Sequence, residues 1–560
     1  MIDLKEKPFY LDDESIKWVY DTLNSMSQLD KIGQVFAEIL WDKPGYTPEQ
    51  LFEYIKPGTV MLRPHTVANA RDNVAKIREI ETIPTLVSMN LECGGNGGAG
   101  GLTDATYIAS PLGAAATDDP EATRRIGLCA AREGGAVGIN WTYEPVIDLI
   151  VDPDNPITNV RTYGSDPDTV IKMAKGYVQS CMENKMATTL KHFPGDGVDF
   201  RDQHLLCSVN SYSLDKWYET YGKIYKELID FGVPTIMCGH IRQPELSRKY
   251  RPGIKDEEIL PMSLAPEKVD ILRGEFGFNG LLVSDATNMV GYTCMMPRAK
   301  AIPLTIENGA DMITFTVNQK EDVGYMLEGL ESGLLSQKRL DEAVIRVLAL
   351  KASLDMHRRD LKDLSVEGLK VVKCKEHEDW ARDINDKCIT KVKDLDNIFP
   401  LSPEKYPTIQ LVVISKEPKY SKEIMLFKSL LEKEGFKVRF FEECDLPSIN
   451  FSLKEYKEQN SLIIYCANMK VNSAQTSVRI TWNDFLGEDS PKYIFDIPGI
   501  FISFSSPYHL VDVPHVRTYI NAYTSTEYSV EAVVEKMMGR SEFKGVSRID
   551  PFYGLWDTHL

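Results

Sequence analysis

The stretch ATTLKHFPGDGVDFRDQH, residues 187–204, joins a short apolar run to a polar loop. The run ATTLKHF (187–193) has the length and the bounding proline that predict a buried strand. Residues 191–204 hold two histidines, a lysine, an arginine and three aspartates among glycines and one proline. This mixture is compatible with a metal site, a phosphate loop, a proton-transfer device or a plain polar turn.

Eight such apolar runs alternate with longer helical patterns between about residues 30 and 320. They are QVFAEI (34–39), TVMLR (59–63), TLVSM (85–89), VGINWTYEP (137–145), ATTLKHF (187–193), PTIMCGH (234–240), GLLVSDA (280–286) and DMITFT (311–316). Eight strands, each followed by a helix, predict an α/β fold with a (β/α)8 TIM-type barrel over residues 1–350. The polar loop then leaves the C-terminal end of the fifth strand, the face where such barrels carry their chemistry.

A second α/β pattern follows a charged segment at 351–400, which we predict to be a helical linker. The strand-like runs TIQLVVIS, KVRFF, LIIYC and GIFISFS are interspersed with the helical patterns KEIMLFKSLLEKEG and SVEAVVEKMMG. This order predicts a smaller C-terminal α/β domain over 401–560, a doubly wound, flavodoxin-like sandwich.

Net charge, apolar runs and cysteine spacing argue against several classes of binding partner. The chain of 560 residues has a net charge of −18, which argues against nucleic acid or an anionic membrane surface as a partner. No signal peptide and no apolar run of about 20 residues is visible. The ten cysteines form no Cys-x-x-Cys pair, a pattern typical of reduced thiols. We therefore expect a cytoplasmic protein without a membrane or nucleic-acid partner; the sequence makes no prediction of oligomeric state.

A glycine cluster, NLECGGNGGAGG (90–101), follows the third strand. Gly95, Gly97 and Gly100 match the G-x-G-x-x-G spacing of a dinucleotide loop, but polar LTDATY follows instead of an apolar helix. A flexible loop beside a pocket is the better interpretation than phosphate binding. Asn90 and Glu92, at the strand end, could donate or accept hydrogen bonds with a polar ligand.

Within the polar loop, Asp196, Asp199, Asp202 and His204 could supply metal ligands. Their spacing fits neither a calcium loop nor an H-E-x-x-H zinc helix. Proton transfer suits the loop better, because Asp202 and His204 are two residues apart and so lie on one side of an extended segment. The aspartate can then hold the imidazole's tautomer and raise its basicity.

Other strand ends supply candidate partners. Asp285 in GLLVSDATNM follows the seventh strand at the predicted pocket rim, although an aspartate there could also cap the next helix. His240 in CGHIRQP follows the sixth strand. Asp148 and Arg161, after the fourth strand, could form a structural ion pair or contact a ligand.

Together these motifs resemble glycoside hydrolase family 3, in particular its β-N-acetylglucosaminidase branch. That branch carries K-H-F-P-G-H-G and, four residues on, D-x-H; here the line reads KHFPGDG, VDFR, DQH, with Asp196 in place of the second histidine. VSDATNM, GINWTYEPVIDL and NVRTYGSDP resemble further family elements, and the resemblance continues through the linker and the C-terminal domain of two-domain members.

The resemblance implies a role for each matching residue. Asp285 corresponds to the nucleophile, His204 to the general acid/base and Asp202 to the residue that orients it. The substrate-binding positions are Lys191, His192, Arg161 and, at the altered third-strand motif, Asn90 or Glu92; His240 is a further candidate. Asp196 leaves open what the missing histidine does.

The resemblance also implies an activity. We expect a retaining, exo-acting β-N-acetylhexosaminidase that hydrolyses terminal N-acetylglucosamine from β-linked oligosaccharides or glycoconjugates, without cofactor or metal. Because a neutral imidazole does not repel an anion, a β-N-acetylglucosaminide phosphorylase is an alternative. A β-glucosidase or xylosidase of the same family and a non-catalytic sugar-binding protein are the others.

Overall fold

The computed structural model describes residues 2–98, 100–361, 364, 366–415, 418–443, 452–482 and 487–560. Ala99 of the glycine cluster and one of the ten cysteines, Cys444, lie outside these ranges. Among the described residues, no helix is both long enough and apolar enough to cross a membrane.

Ten strands precede residue 320 in the described part of the chain. They are β1 (Phe36–Trp41), β2 (Thr59–Arg63), β3 (Leu86–Met89), β4 (Trp141–Thr142), β5 (Thr189–Phe193), β6 (Ser208–Val209), β7 (Thr235–Cys238), β8 (Ile241–Arg242), β9 (Leu281–Ala286) and β10 (Met312–Thr314). Eight of them form one parallel sheet in the order β4-β3-β2-β1-β10-β9-β7-β5, while β6 pairs with β8. Parallel bridges from Trp141 to Ala187 and from Val146 to Lys191 bring the two edges together. The predicted barrel is confirmed, with a strand at each of the eight predicted runs.

Among the described residues up to 353, fourteen helices accompany these strands. They are α1 (Asp13–Ser25), α2 (Gln28–Gln34), α3 (Pro48–Leu51), α4 (Val67–Ile80), α5 (Pro111–Ala116), α6 (Pro120–Ala136), α7 (Pro167–Glu183), α8 (Leu214–Trp217), α9 (Lys223–Phe231), α10 (Pro244–Tyr250), α11 (Val290–Thr293), α12 (Arg298–Glu307), α13 (Gln319–Ser332) and α14 (Gln337–Ser353). Wider π-helical turns lie at Tyr218–Gly222 and Val269–Glu275, and 3-10 turns at Asn159–Arg161, Asp256–Glu258, Glu367–Val371, Phe441–Glu443, His509–Val511 and Asp557–His559.

Helix α6 shows how the sequence sets these elements. Asp119 caps it by accepting from the backbone N–H of Glu121, and Pro120 occupies the first turn, where its missing N–H costs nothing. Gly127 faces α7, and a Cβ at this position would stand 2.6 Å from the carbonyl oxygen of Tyr177. Glycine therefore permits the close packing of α6 on α7.

The second sheet has six strands. They are β11 (Thr390–Asp394), β12 (Thr408–Ile414), β13 (Lys437–Phe440), β14 (Leu462–Ala467), β15 (Gly499–Ser503) and β16 (Thr518–Asn521), and the accompanying helices are α15 (Lys375–Cys388), α16 (Lys422–Lys433), α17 (Leu453–Gln459) and α18 (Glu527–Met537). The order is β11-β16-β15-β14-β12-β13, with β11 antiparallel to β16. The five parallel strands follow the 2-1-3-4-5 order of flavodoxin-like folds, which confirms the predicted class.

The predicted linker contributes to this second sheet. Residues 351–400 contain α15 and also β11, which pairs with β16 as the sheet's edge. Leu112 and Ala116 of α5 share one apolar cluster with Ile389 and Tyr523. Burial of this common core favours a fixed position of the second domain against the barrel. The domain limit at 401 stays a prediction.

A buried cluster of charged residues lies at the N-terminal end of the barrel strands. Asp311, just before β10, accepts from Arg273 at 2.7 Å and from Arg339 at 2.6 Å, and Arg346 lies at 3.5 Å. Burial acts to raise the pKa of Asp311, but the three guanidinium groups outweigh it, so the pKa lies below its usual range. This N-terminal face of a barrel is typically devoted to stability.

Candidate active site

A cavity of about 1240 Å³ opens at the C-terminal ends of the barrel strands and extends to the second domain. Seven of the residues proposed from the sequence line it: Asn90, Glu92, Arg161, Lys191, His192, His204 and Asp285. They come from the ends of β3, β5 and β9 and from the loops after β4 and β5. Two candidates, Asp202 and His240, lie behind this lining.

Asp285 is the penultimate residue of β9 and is 9% exposed. Its Oδ1 accepts from the backbone N–H of Ala286 at 2.7 Å. Burial acts to raise the pKa of Asp285, but the positive potential of His192, His240 and His204 prevails and the pKa lies below its ordinary value. The carboxylate is therefore ionised near neutral pH, as a nucleophile must be.

Asp202 and His204 form the pair that the loop spacing predicts. Oδ1 of Asp202 lies 2.7 Å from Nδ1 of His204 and also accepts from the His204 backbone N–H at 2.8 Å. The Asp202 side chain is buried, whereas that of His204 is 30% exposed and faces the cavity. Because Nδ1 is engaged by the carboxylate, Nε2 is the ring nitrogen available for proton transfer to or from a ligand.

Lys191 and Arg161 line the floor of the cavity and bind two carboxylates, of Glu92 in the lining and of Glu144 behind it. Lys191 Nζ lies 2.7 Å from Glu144 and 3.7 Å from Glu92. Arg161 binds Glu92 through Nε at 3.0 and 3.1 Å and through Nη2 at 2.5 Å. Burial and the neighbouring Glu92 raise the pKa of Glu144, whereas Arg161 and Lys191 lower that of Glu92 despite its burial. The floor thus presents ionic and hydrogen-bonding groups of the kind that hold sugar hydroxyls.

His192 is bound by Asp148, whose Oδ2 lies 2.7 Å from the His192 Nδ1. The other oxygen of Asp148 accepts from the backbone N–H of His192 and of Asp196. Arg161 pairs with Glu92 instead, so the alternative ion pair between Asp148 and Arg161 is wrong. The carboxylate holds the His192 ring in one orientation towards the cavity.

His240 is fully buried, with Nδ1 at 2.9 Å from Ser263 Oγ and Nε2 at 3.0 Å from the carbonyl oxygen of Ala286. Both ring nitrogens are therefore used within the protein, behind the strand end that carries Asp285. Its place in the fold is that of a support for β9.

The three aspartates of the polar loop do not converge. Asp199 binds Arg201 at 2.7 Å, Asp202 binds His204, and Asp196 accepts from Asn155. Among the described residues, the side-chain groups close enough together to share a metal ion do not include these aspartates or His204.

Two groups of site residues were missed from the sequence. Arg63 lines the cavity, and Glu144 binds Lys191 from behind the lining. Both stand at the ends of their strand runs, so their position was a usable signal. Residues of the second domain, among them Lys470, Asn472 and Ser473, also line the cavity. Nothing in their local sequence indicates this, because their place depends on how the two domains pack.

Comparisons with known proteins agree on the family. A model described as "Glycosyl hydrolase family 3 N terminal domain" matches residues 52–350. A "Beta-N-acetylglucosaminidase/beta-glucosidase" from Cellulomonas fimi is 40% identical to this chain, and the alignment covers 100% of each of the two chains. The chain belongs to glycoside hydrolase family 3 and is an enzyme that cleaves glycosidic bonds.

Solved structures resemble the whole chain. "Beta-glucoside phosphorylase BglX bound to 2FGlc" superposes with a TM-score of 0.96 at 52% identity over 99% of each chain. A family 3 β-N-acetylglucosaminidase from Paenibacillus sp. str. FPU-7 has a TM-score of 0.78 at 20% identity, over 95% of this chain and 100% of that one. The second likeness shows the fold alone.

Proposed function

We propose that this protein is a retaining β-glycoside phosphorylase, which cleaves a terminal β-linked glucosyl or N-acetylglucosaminyl residue with inorganic phosphate. The carrying observation is the acid/base candidate itself: a histidine, His204, faces the cavity that also holds Asp285. The likeness to a beta-glucoside phosphorylase at 52% identity supports this choice of acceptor.

In the first step, the Asp285 carboxylate attacks the anomeric carbon and forms a glycosyl ester, while the bond to the aglycone breaks. Protonated His204 gives its proton to the departing oxygen. Asp202, at 2.7 Å, stabilises the imidazolium before this transfer and keeps the ring oriented. Lys191, Arg161 and their carboxylate partners hold the sugar ring by its hydroxyl groups.

In the second step, a phosphate oxygen attacks the same carbon and the ester bond to Asp285 breaks. The proton carried by hydrogen phosphate passes to neutral His204, which restores the starting state. A deprotonated carboxylate in the place of His204 would repel the incoming dianion, whereas neutral imidazole does not. The two displacements each invert the anomeric carbon, so the sugar 1-phosphate keeps the β configuration.

The test is product analysis on a panel of β-glucosides and β-N-acetylglucosaminides with and without phosphate. We expect a sugar 1-phosphate when phosphate is present, and the free sugar, formed more slowly, when it is absent. A 2-fluoro sugar should label the protein, and peptide mass analysis should place the label on Asp285. Release of free sugar at an equal rate with and without phosphate would refute the phosphorylase.

Hydrolysis is the second candidate, with N-acetylglucosamine as the released sugar. It is favoured by the relative from Cellulomonas fimi, whose name gives both activities, β-N-acetylglucosaminidase and β-glucosidase. The same residues perform it, with water as the acceptor and His204 as the base that removes its proton. Comparing kcat/KM for nitrophenyl N-acetylglucosaminide and nitrophenyl glucoside decides the sugar.

A further inference from the structure

The segment 470–474 follows β14 of the second domain and reaches the cavity of the barrel. Lys470, Asn472 and Ser473 line the same cavity as His204 and Asp285. The second domain therefore forms a wall of the site that the barrel alone does not supply.

One hydrogen bond locates this wall relative to the acid/base pair. The backbone N–H of Ala474 donates to Oδ2 of Asp202 at 2.5 Å, across 272 positions of sequence. The other oxygen of Asp202 binds His204. Successive Cα atoms are about 3.8 Å apart, so Ser473 lies directly beside the pair that transfers the proton.

The backbone at Ala474 is specialised for this contact. Its φ is +62°, in the left-handed region that residues other than glycine and asparagine rarely adopt. The conformation costs free energy, and the N–H that it presents is bound to a buried carboxylate. The turn at Ala474 thus fixes the position of segment 470–474 relative to Asp202.

The side chains of this wall suit an anion. Among the described residues, Lys470 has no carboxylate within ion-pair distance, and no protein partner engages the side-chain polar groups of Asn472 or Ser473. Lys422, which also lines the cavity from the second domain, differs because it lies 3.7 Å from Glu423. An unpaired ammonium with neighbouring amide and hydroxyl donors offers the charge-assisted hydrogen bonds that phosphate accepts.

We propose that Lys470, Asn472 and Ser473 form the acceptor site for inorganic phosphate, while the Ala474 amide keeps the acid/base pair aligned with it. This inference rests on the proposed phosphorylase function. The leaving aglycone and the incoming phosphate use the same side of the sugar in turn, and both meet His204 there. The positive charge of Lys470 offsets the repulsion between the phosphate and ionised Asp202.

The first test replaces Lys470 in the full chain. For Lys470→Met we expect KM for phosphate to rise about tenfold or more, as loss of a charge-assisted contact should cause. The ratio of sugar 1-phosphate to free sugar should fall by a similar factor, and Lys470→Arg should restore most of it. Lys422→Met is the matched control and should leave both quantities within twofold of the parent.

The second test separates alignment from phosphate binding. Ala474→Val favours extended backbone and displaces the N–H, so we expect kcat to fall with either acceptor, and by a larger factor than KM for phosphate rises. Ala474→Gly keeps the N–H and accepts a positive φ, so it should retain more of the parent's kcat than Ala474→Val.

Three results would overturn the proposal. An unchanged KM for phosphate in Lys470→Met, or an equal rise in Lys422→Met, would remove the acceptor site while leaving the phosphorylase function intact. A parent protein that forms no sugar 1-phosphate would refute the proposed function itself and the phosphate site with it.

Discussion

The side-chain amide of Gln203 donates to Oδ2 of Asp196 at 3.0 Å, and both residues are buried. Gln203 stands between Asp202 and His204 in the chain, so this bond fastens the middle of the acid/base loop. The second oxygen of Asp196 accepts from Asn155 Nδ2 at 2.9 Å. The residue that departs from the family motif thus supports the loop that carries His204.

Asp196 does not line the cavity. Replacing it should therefore slow catalysis through the position of the His204 loop and not through a lost contact with the sugar. For Asp196→Ala we expect kcat to fall on the order of tenfold to a hundredfold, because small displacements of a catalytic group have effects of that size. The unsatisfied donors should also cost about 1–3 kcal/mol of stability. Steady-state kinetics and thermal unfolding measure the two effects.

Gln203→Ala provides the control for that interpretation. If Asp196 acts through Gln203, the double variant should lose no more than the worse single variant, since residues that share one interaction are not additive. Losses in kcat that multiply would mean that Asp196 acts by another route.

Removal of the acid/base histidine should depend on the leaving group. His204→Ala should slow cleavage of poor leaving groups by roughly 10²–10⁴-fold, because they need a proton as the bond breaks. Nitrophenolates leave without protonation and should be affected far less in the first step. Pre-steady-state rates with a series of aryl glycosides give this dependence.

Two carboxylates of the second domain, Glu423 and Glu527, also line the cavity and provide controls. In Glu423→Gln and Glu527→Gln, any loss of rate relative to the parent should not depend on the leaving group. A stronger dependence on the leaving group in either variant than in His204→Ala would assign the acid to the second domain.

The charge of Asp202 should appear in the pH dependence. Burial acts to raise the pKa of Asp202, but hydrogen bonds and the charge of His204 outweigh it, so the pKa is lowered. A carboxyl of this kind stabilises the fold above its unfolded value of about 3.9 and loses that contribution as pH falls through the lower folded value. The difference in Tm between the parent and Asp202→Asn should therefore narrow below about pH 4.

The same variant should change how activity depends on the leaving group. Without the carboxylate at 2.7 Å the imidazolium loses its counter-ion, so kcat/KM should fall more for poor leaving groups than for nitrophenyl glycosides. A dependence identical to the parent's would show that Asp202 only orients the ring.

The buried cluster around Asp311 should govern stability. Asp311→Asn leaves three guanidinium groups beside a neutral amide, and we expect a loss of about 3–5 kcal/mol at pH 7. The loss should shrink as pH falls through the lowered pKa of Asp311, since the parent then loses the same charge. Asp230→Asn, at a half-exposed ion pair with Lys226, should cost less than about 1 kcal/mol. Equal losses at the two positions would contradict the role of the cluster.

Local sequence was sufficient for the barrel strands and for the acid/base pair. Apolar runs of four to eight residues predict buried strands wherever they lie, and TVMLR matches β2 residue for residue. Asp202 and His204 are two apart, so their contact needs only an extended loop. Strand β11 escaped prediction, because TKVKD alternates charged and apolar residues at a sheet edge and lacks an apolar run.

The sequence by itself determined the fold class and the contact between Asp202 and His204, and it predicted Asp285 at a strand end, because periodicity and strand-end position are expressed within a few residues. Only the tertiary structure decided that Arg161 binds Glu92, 69 positions away, and that Ala474 reaches Asp202 across 272 positions. Residues this far apart in the chain meet only when the elements that carry them pack together. The free energy of that packing comes from many buried contacts across the fold and is not visible in any short stretch of sequence.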